Sequence, residues 1–292
     1  MDTLYLDKEK LFDILKDLNV CSKQGLAERF DSTVGAHSLL MPFGGQFQRT
    51  PTQAMAAEIF TGSQICSLMS YGFDPFISES SPFRGAYIAV LDSLCKIIAS
   101  GGNLKHCWLT LQEYFGKPGN NPEKWGLPFA ALLGALKAQI DFNVAAIGGK
   151  DSMSGSFVDE TGKNYDVPPT LISFAVCAAE VDKIISPEFK QAGSNVYILS
   201  PDYDSDDLPT TDSMENLFAL IQELNENNKI LSCYVPTFGG IPAAIFKMCI
   251  GNNLGFEFEN NILFDDSRCK FIIELTEENE NLCRLGDRKS VV

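Results

Sequence analysis

Ala145-Ala146-Ile147-Gly148-Gly149-Lys150-Asp151-Ser152-Met153-Ser154-Gly155 is an apolar run that empties into paired glycines, then three chemically active side chains, then a second small-residue bend. The run at 144–147 predicts a buried strand, and the glycines after it predict a change of direction. Paired glycines let a backbone approach a ligand closely, and their free N–H groups can form an anion-binding nest. Lys150 adds a positive point charge, Ser152 a hydroxyl, and Asp151 a hard carboxylate of the kind Mg²⁺ prefers. Two readings fit these residues. One is a cradle for a phosphorylated ligand held with a metal; the other is a tight strand-to-loop turn with a solvated Lys-Asp pair. The GxxxxGK[ST] spacing of a P-loop is absent.

The bulk composition narrows the setting. A chain of 292 residues is long enough for about two domains at ~100–200 residues each. Hydrophobic content of 45% and charged content of 21% are those of an ordinary globular protein. The net charge of −15 argues against non-specific binding to nucleic acid or an anionic membrane, both of which need clustered Lys and Arg. Phosphate recognition in such a chain must use local devices: helix N-termini, glycine nests, a few lysines, Mg²⁺. The nine cysteines form no CxxC and no metal-like pairing with His37 or His106, which predicts reduced, buried thiols. No signal peptide is visible, and no apolar run approaches the ~18 residues of a membrane span. A cytoplasmic protein is the expectation.

Along the chain, residues 4–20 have helical spacing that breaks near Gly25, and 30–41 is strand-like, leading into Pro42-Phe43-Gly44-Gly45. Periodicity leaves 52–60 open between a short helix and a strand. A strand at 65–69 precedes 72–83, where Pro75, Pro82 and several polar residues predict a loop. Ala89, Leu91, Leu94, Cys95, Ile97 and Ile98 give 85–100 a broad apolar helical face, closed by Gly101-Gly102. A strand at 107–111, a loop at 115–126 and a helix at 127–140 starting near Pro128 follow. Residues 170–179 read as a continuous apolar strand. Beyond 181 come a strand at 196–199, an acidic connector at 201–209, a helix at 214–224 and a strand at 230–234. A Gly239-Gly240 turn, a helix at 241–249 and strands at 256–258 and 270–275 complete the pattern. The shift in composition places a boundary near 182–194 between two α/β units of unequal length.

Several segments together resemble one enzyme family. They are Arg29-Phe30-Asp31-Ser32-Thr33-Val34, Pro42-Phe43-Gly44-Gly45, Thr50-Pro51-Thr52-Gln53-Ala54, Ser70-Tyr71-Gly72-Phe73-Asp74-Pro75 and Gly148-Gly149-Lys150-Asp151-Ser152-Met153-Ser154, joined by Leu231-Ser232-Cys233-Tyr234 with Gly239-Gly240. Their order and spacing, from about residue 28 to 255, are similar to one region of the large, single-chain form of formylglycinamide ribonucleotide amidotransferase (phosphoribosylformylglycinamidine synthase). That enzyme carries two tandem A–B domain pairs of the aminoimidazole-ribonucleotide-synthetase-like fold, then a glutaminase domain. The resemblance implies a lead-in at 1–27, the second A domain at 28–182, whose sheet pairs into a β-barrel flanked by helices, and a smaller α/β B domain at 190–292. The chain is then expected to be a piece of a longer enzyme. The first copy's catalytic Ser-His-Asn-His motif and the glutaminase triad have no counterpart here, so no catalytic residue is assigned.

The resemblance also implies roles. Gly149, with Gly148, lies against ATP; Lys150 stands where the small form has a metal-binding Asn; and Ser152 matches a Ser that contacts substrate. Lysine cannot ligate Mg²⁺, so Lys150 is expected to neutralise phosphate directly, with Asp151 left as the metal carboxylate. Gln112 and Glu113 are candidates for nucleotide and metal contact, against the alternative of a plain strand end at the surface. Asp92 aligns with a Glu that holds Mg²⁺ at an auxiliary nucleotide site. Four residues on, where relatives have Asn, stands Lys96, and i, i+4 spacing favours an ion pair. In Tyr234-Val235-Pro236-Thr237-Phe238-Gly239-Gly240, Val235 replaces a metal-holding Asp, although Thr237 keeps a nucleotide-contacting hydroxyl.

The intact enzyme, on this resemblance, converts formylglycinamide ribonucleotide, glutamine and ATP to the amidine, ADP, phosphate and glutamate, with ATP and Mg²⁺ as cofactors. ATP activates the formyl amide oxygen and channelled ammonia displaces phosphate, a chemistry resting on positioning and charge neutralisation. The expected partners are the remaining domains of the enzyme and small-molecule nucleotides, not nucleic acid or membrane. The rival is a non-catalytic, pseudo-symmetric scaffold with a decayed nucleotide site. A free-standing kinase of the thiamine-monophosphate type shares the fold but needs N-terminal Gly/Asp-rich metal motifs that are missing. An unpaired A-type sheet would expose one face, so homodimerisation or poor solubility is expected.

Overall fold

The computed structural model describes residues 8–30, 36–258 and 268–290. Two short helices, α1 (Lys8–Lys16) and α2 (Gln24–Ala27), precede a mixed α/β body. Its first part runs β1 (Ser38–Leu40), β2 (Phe43–Gly44), β3 (Thr50–Pro51), β4 (Ala54–Glu58), β5 (Ile65–Gly72), α3 (Pro75–Ser80), α4 (Pro82–Ala99), β6 (Cys107–Tyr114), α5 (Pro122–Asp141), β7 (Ala146–Ser152), β8 (Ser156–Val158), β9 (Asn164–Asp166) and β10 (Thr170–Glu180). The second part runs β11 (Asn195–Leu199), α6 (Thr211–Glu226), β12 (Ile230–Tyr234), α7 (Gly240–Ile250), β13 (Leu254–Phe258), β14 (Phe271–Leu275) and β15 (Arg284–Ser290).

Prolines set three of these helices. Residues 72–83, read from sequence as a loop, hold α3 and the start of α4. The Asp74 carboxylate accepts from the N–H groups of Phe76 and Ile77, the Ser81 hydroxyl accepts from that of Arg84, and each cap is followed by proline. Proline belongs at a first helical position because its missing N–H would have no partner there. Likewise α5 begins at Pro122 rather than near Pro128, with Asn121 accepting from the N–H groups of Glu123 and Lys124, and Pro128 lies inside the helix. The segment left open at 52–60 is a strand, β4.

Strands β1-β4-β5-β10-β6-β7 form an open six-stranded sheet, antiparallel except for the β6–β7 pair that α5 bridges. Alternation along the strands divides its two faces. Cys66, Leu68, Leu109, Leu171, Ala175 and Cys177 point into a core roofed by α4, in which every residue from 85 to 99 is buried. On the other face Met55, Met69, Val176 and Trp108 stand side by side across four strands, with Tyr71, Phe174 and Thr110 in the next row. Met55, Met69, Trp108, Tyr71 and Phe174 are exposed. The sheet does not close on itself within this chain.

The second sheet, β12-β14-β11-β15-β13, is antiparallel throughout. Tyr197, Leu199, Phe271 and Ile273 face α6, while Val196 and Ile272 face α7. Phe142, Phe218 and Phe271 make successive ring contacts, at 6.0 and 6.2 Å between centroids, so the core continues from the α4–α5 layer into the second sheet. Seven of the nine cysteines are buried and none is in a disulfide; Cys21 is half-buried and Cys283 exposed. Burial pushes the Cys107 thiol up to about 12, with Cys177 across the strand adding to the shift. Among the described residues no helix is long and apolar enough to cross a membrane.

Gly72 lets β5 run against α4 with no side chain between them: a Cβ there would overlap the Ala89 carbonyl oxygen and crowd the Ser93 amide. Gly72→Ala is therefore predicted to lower unfolding stability by about 3 kcal/mol or more in urea titrations. Gly148→Ala, which has open space around it, should cost under ~1 kcal/mol. Equal effects of the two substitutions would contradict this packing.

Candidate functional site

The residues singled out from sequence fall into two groups. Gly148, Gly149, Lys150, Asp151 and Ser152 lie in β7, the edge strand of the first sheet, and pair in register with Thr110, Leu111, Gln112, Glu113 and Tyr114 of β6. The expected turn or nest is not there. A nest needs residues of alternating handedness, and neither Gly148 nor Gly149 has a positive φ. Gly149 is small for a different reason: a Cβ would overlap the Leu111 carbonyl oxygen of the neighbouring strand. The strand read as ending at 147 continues through the motif to Ser152.

Strand geometry then separates the charges. Lys150 projects to the open face of the sheet beside Gln112, whereas Asp151 projects beside Glu113 on the opposite face. The Lys150 ammonium donates to the Asp151 carbonyl at 2.7 Å, so it curls round the free edge. Gln112 donates from its side-chain amide to the Glu113 carbonyl at 2.9 Å.

Glu113 is the most perturbed acid of the group. It is buried, and its Oε1 has no hydrogen-bond partner. Loss of water, with the Asp151 carboxylate adding repulsion, raises its pKa to about 7. Two carboxylates and an orphaned oxygen at a strand edge fit a divalent cation that takes its remaining ligands from phosphate and water, as Mg²⁺ does. Among the described residues no group of three or more His, Cys, Asp or Glu could hold a metal alone.

The second group borders a cavity of about 450 Å³. Asp92 and Lys96 of α4 form the ion pair expected from their spacing, at 2.6 Å and almost completely buried. Lys96 also donates to the Tyr71 carbonyl at 2.8 Å. Thr237 lines the opposite side, and the Val235 backbone is clamped at both its N–H and its C=O by the Gln53 amide, each at 2.7 Å. Sequence reasoning missed the rest of the lining: Lys23, Arg49 and Lys247 join Lys96 against Asp92, the only acid there among the described residues, with Tyr71, Phe73, Tyr234 and Phe246 as aromatic walls. Burial, and after it the nearby Lys23, pushes the Lys247 ammonium down from its ordinary value. Nothing local flags these cations, because they come from four distant points of the chain. An anion with a flat, apolar part matches such a lining.

The chain is similar over nearly its whole length to curated proteins named phosphoribosylformylglycinamidine synthase subunit PurL. That of Picrophilus torridus is 25% identical over 93% of this chain, and those of Leuconostoc mesenteroides and Methanocaldococcus jannaschii are 22% identical over 96% and 93%. The chain spans about two-fifths of the length of these relatives. PurLQS from Thermotoga maritima superposes with a TM-score of 0.67 at 15% identity, over 92% of this chain and 41% of that one. T. maritima PurL complexed with FGAR gives 0.64 at 15% identity over 92% and 40%. AaThiL complexed with AMPPCP and TMP gives 0.56 at 11% identity over 82% and 85%, which shows the shared fold. No protein-family model matches the chain.

Glu113 makes a pH prediction with a definite sign. Its folded pKa is raised, so its contribution to stability is full below about 4.5 and is lost as pH rises through about 7. Glu113→Gln should remove that dependence and, at pH 8, stabilise the chain by roughly 1–2 kcal/mol. Parallel pH–stability curves for the two proteins would disprove the assignment.

Proposed function

We propose that this chain, a relative of the PurL subunits, forms one wall of the nucleotide and ribonucleotide site of a formylglycinamidine ribonucleotide synthase, with 28–182 as its second A-type unit and 190–292 as its second B-type unit. The observation that carries this reading is the β7 edge, where the Gly148–Ser152 motif stands in register with Gln112 and Glu113. In that synthase, formylglycinamide ribonucleotide, ATP and glutamine give the amidine, ADP, phosphate and glutamate, in de novo purine biosynthesis in the cytoplasm. Support comes from relatives named for this activity and from PurL structures complexed with ATP, ADP and FGAR.

Each residue has a task that its position allows. Gly148 and Gly149 keep the strand edge bare, so that a phosphate chain can lie against backbone. Lys150 supplies positive charge from the open face, and Ser152 and Gln112 offer hydrogen bonds beside it. Glu113, in its ionised form, and Asp151 would hold Mg²⁺ from the other face. When bound, the ion neutralises charge on the transferring phosphoryl group. A ligand using both sets must straddle the free edge of β7. The exposed apolar face of the sheet is the surface for the companion sheet of the first copy.

The cavity favours a different reading of its own residues. Asp92 already carries a cation, Lys96, and a divalent ion there would have to displace it. Val235 offers no ligand. The scaffold alternative thus applies to the cavity: Thr237 and the cations around it remain suited to an anion, without a tightly held metal nucleotide.

Three measurements test this. The isolated chain should show no glutamine- or ammonia-dependent amidine formation, and a measurable rate would refute its role as one wall of a composite site. Calorimetric titration with ADP should give binding that strengthens with Mg²⁺ at the β7 edge and weakens about tenfold or more in Lys150→Ala; binding indifferent to Lys150, Glu113 and Asp151 would place the nucleotide elsewhere. Replacing Phe174 on the apolar sheet face with Glu should raise solubility, and an unchanged solubility limit would argue against that face as an interface.

A further inference from the structure

The cavity beside Asp92 and Lys96 is closed on one side by the segment that follows α1: Leu15, Asn19, Val20, Cys21, Ser22 and Lys23 all line it. This strap is seated on the glycine turn ahead of α7. Val20 is buried, and a Cβ on Gly239 would come within 2.9 Å of Ile14 and 3.1 Å of Val20. The seat brings Lys23 near enough to Lys247 for its charge to count against the second ammonium. Lys23 donates to the Leu18 carbonyl and, at 3.4 Å, to the Cys21 sulfur; Arg49 lies over the Phe47 ring at 5.8 Å. Among the described residues the Lys247 ammonium has no hydrogen bond or ion pair, and no acid pairs with Lys23 or Arg49. Three uncompensated cations around a partly dry space repel one another when it is empty, and a multiply charged anion reverses that.

We infer that the cavity binds a phosphate-chain anion free of divalent metal, held by Lys23, Arg49 and Lys247 and enclosed by the strap at 15–23. This assignment rests on the reading of the cavity as an anion site and is independent of the β7 edge. Cations from three separate elements call for a ligand that presents charge at several points, as two or more linked phosphates do. The hydroxyls of Ser22 and Thr237 add donors. At about 450 Å³ the space leaves room for a flat ring against the aromatic walls. The exclusion of metal follows from Asp92. Its carboxylate is held by Lys96 at 2.6 Å, and that ammonium is also tied to the Tyr71 carbonyl at 2.8 Å and lies 4.9 Å from the Tyr71 ring centre. A divalent ion on Asp92 would leave Lys96 buried without its counter-charge. Mg²⁺ carried in on the ligand would cancel the charge that the three cations read.

Inorganic pyrophosphate and ADP, each titrated calorimetrically into the full chain in EDTA, separate the two sources of such an anion. Both should bind, ADP about tenfold tighter through its ring; equal affinities would assign the site to the inorganic anion. Excess Mg²⁺ should weaken binding about fivefold or more, the reverse of the β7 edge. Lys247→Met should weaken pyrophosphate binding about tenfold, as should Lys23→Met, an exposed position on the strap whose change leaves the core intact. Lys150→Ala should leave it unchanged. Cys21 lines the cavity and Cys283 is exposed outside it, so saturating pyrophosphate should slow maleimide labelling of Cys21 about threefold or more and leave Cys283 unaltered. No binding with or without Mg²⁺, or binding indifferent to both methionine variants, would overturn the inference alone. Binding that Mg²⁺ strengthens and the methionine variants weaken would overturn it together with the metal-free reading of the cavity. Loss of binding only in Lys150→Ala would overturn it and move the anion to the β7 edge.

Discussion

A helix buried on every side is the constraint that the rest of this structure accommodates. From residue 85 to 99, α4 is enclosed by the sheet beneath it, by α5 alongside and by α6 beyond. Close approach on that scale requires backbone against backbone, and Gly72 and Gly134 supply it on two sides. It also imposes a condition on charge. Asp92 and Lys96 lie within the buried helix, and desolvated ions of opposite sign are tolerable there only as a hydrogen-bonded pair. The pair closes one wall of the cavity and carries no net charge, so the cationic character of that space comes from residues outside the helix.

The parts of the fold legible in the sequence were those set by local periodicity. The apolar face of α4, the long strand β10 and the glycine turn before α7 all follow from spacing within a few turns or pleats. Misreadings cluster where one residue type has two opposite uses. Pro75 and Pro82 read as loop residues, and Pro122 falls within the loop expected at 115–126, yet all three start helices, because the Asp, Ser and Asn before them cap the free N–H groups. Gly148-Gly149 read as a change of direction yet continues a strand, and the smallness of Gly149 serves contact with Leu111 rather than reversal. The pairing of β7 with β6 depends on a crossover through α5, which no local pattern encodes. The same is true of the cavity, whose cations at 23, 49, 96 and 247 meet only after the chain has folded.

The candidate site draws its logic from strand alternation. Adjacent residues of β7 present Lys150 to one face and Asp151 to the other, which keeps the ammonium from neutralising the carboxylate beside Glu113. Two acids left near each other in a partly dry setting raise the pKa of the more buried one, and a cation reverses that shift. An arrangement of this kind is costly when empty and favourable when filled. The 22–25% identity to the PurL subunits extends over more than nine-tenths of the chain.

The order of strands in the first sheet has a further consequence during synthesis. β10 lies between β5 and β6, yet it is the last of the six to be made. Until residue 180 has left the ribosome, the antiparallel β1-β4-β5 group and the parallel β6–β7 pair are two separate pieces, each with an unpaired inner edge. Joining them requires closing loops of roughly 60 and 100 residues at once, a slow step by the relation between contact order and rate. The nascent chain therefore carries an unpaired strand edge on each piece until β10 is made. Those unpaired edges are the part of the folding route most exposed to aggregation, the state that chaperones act on.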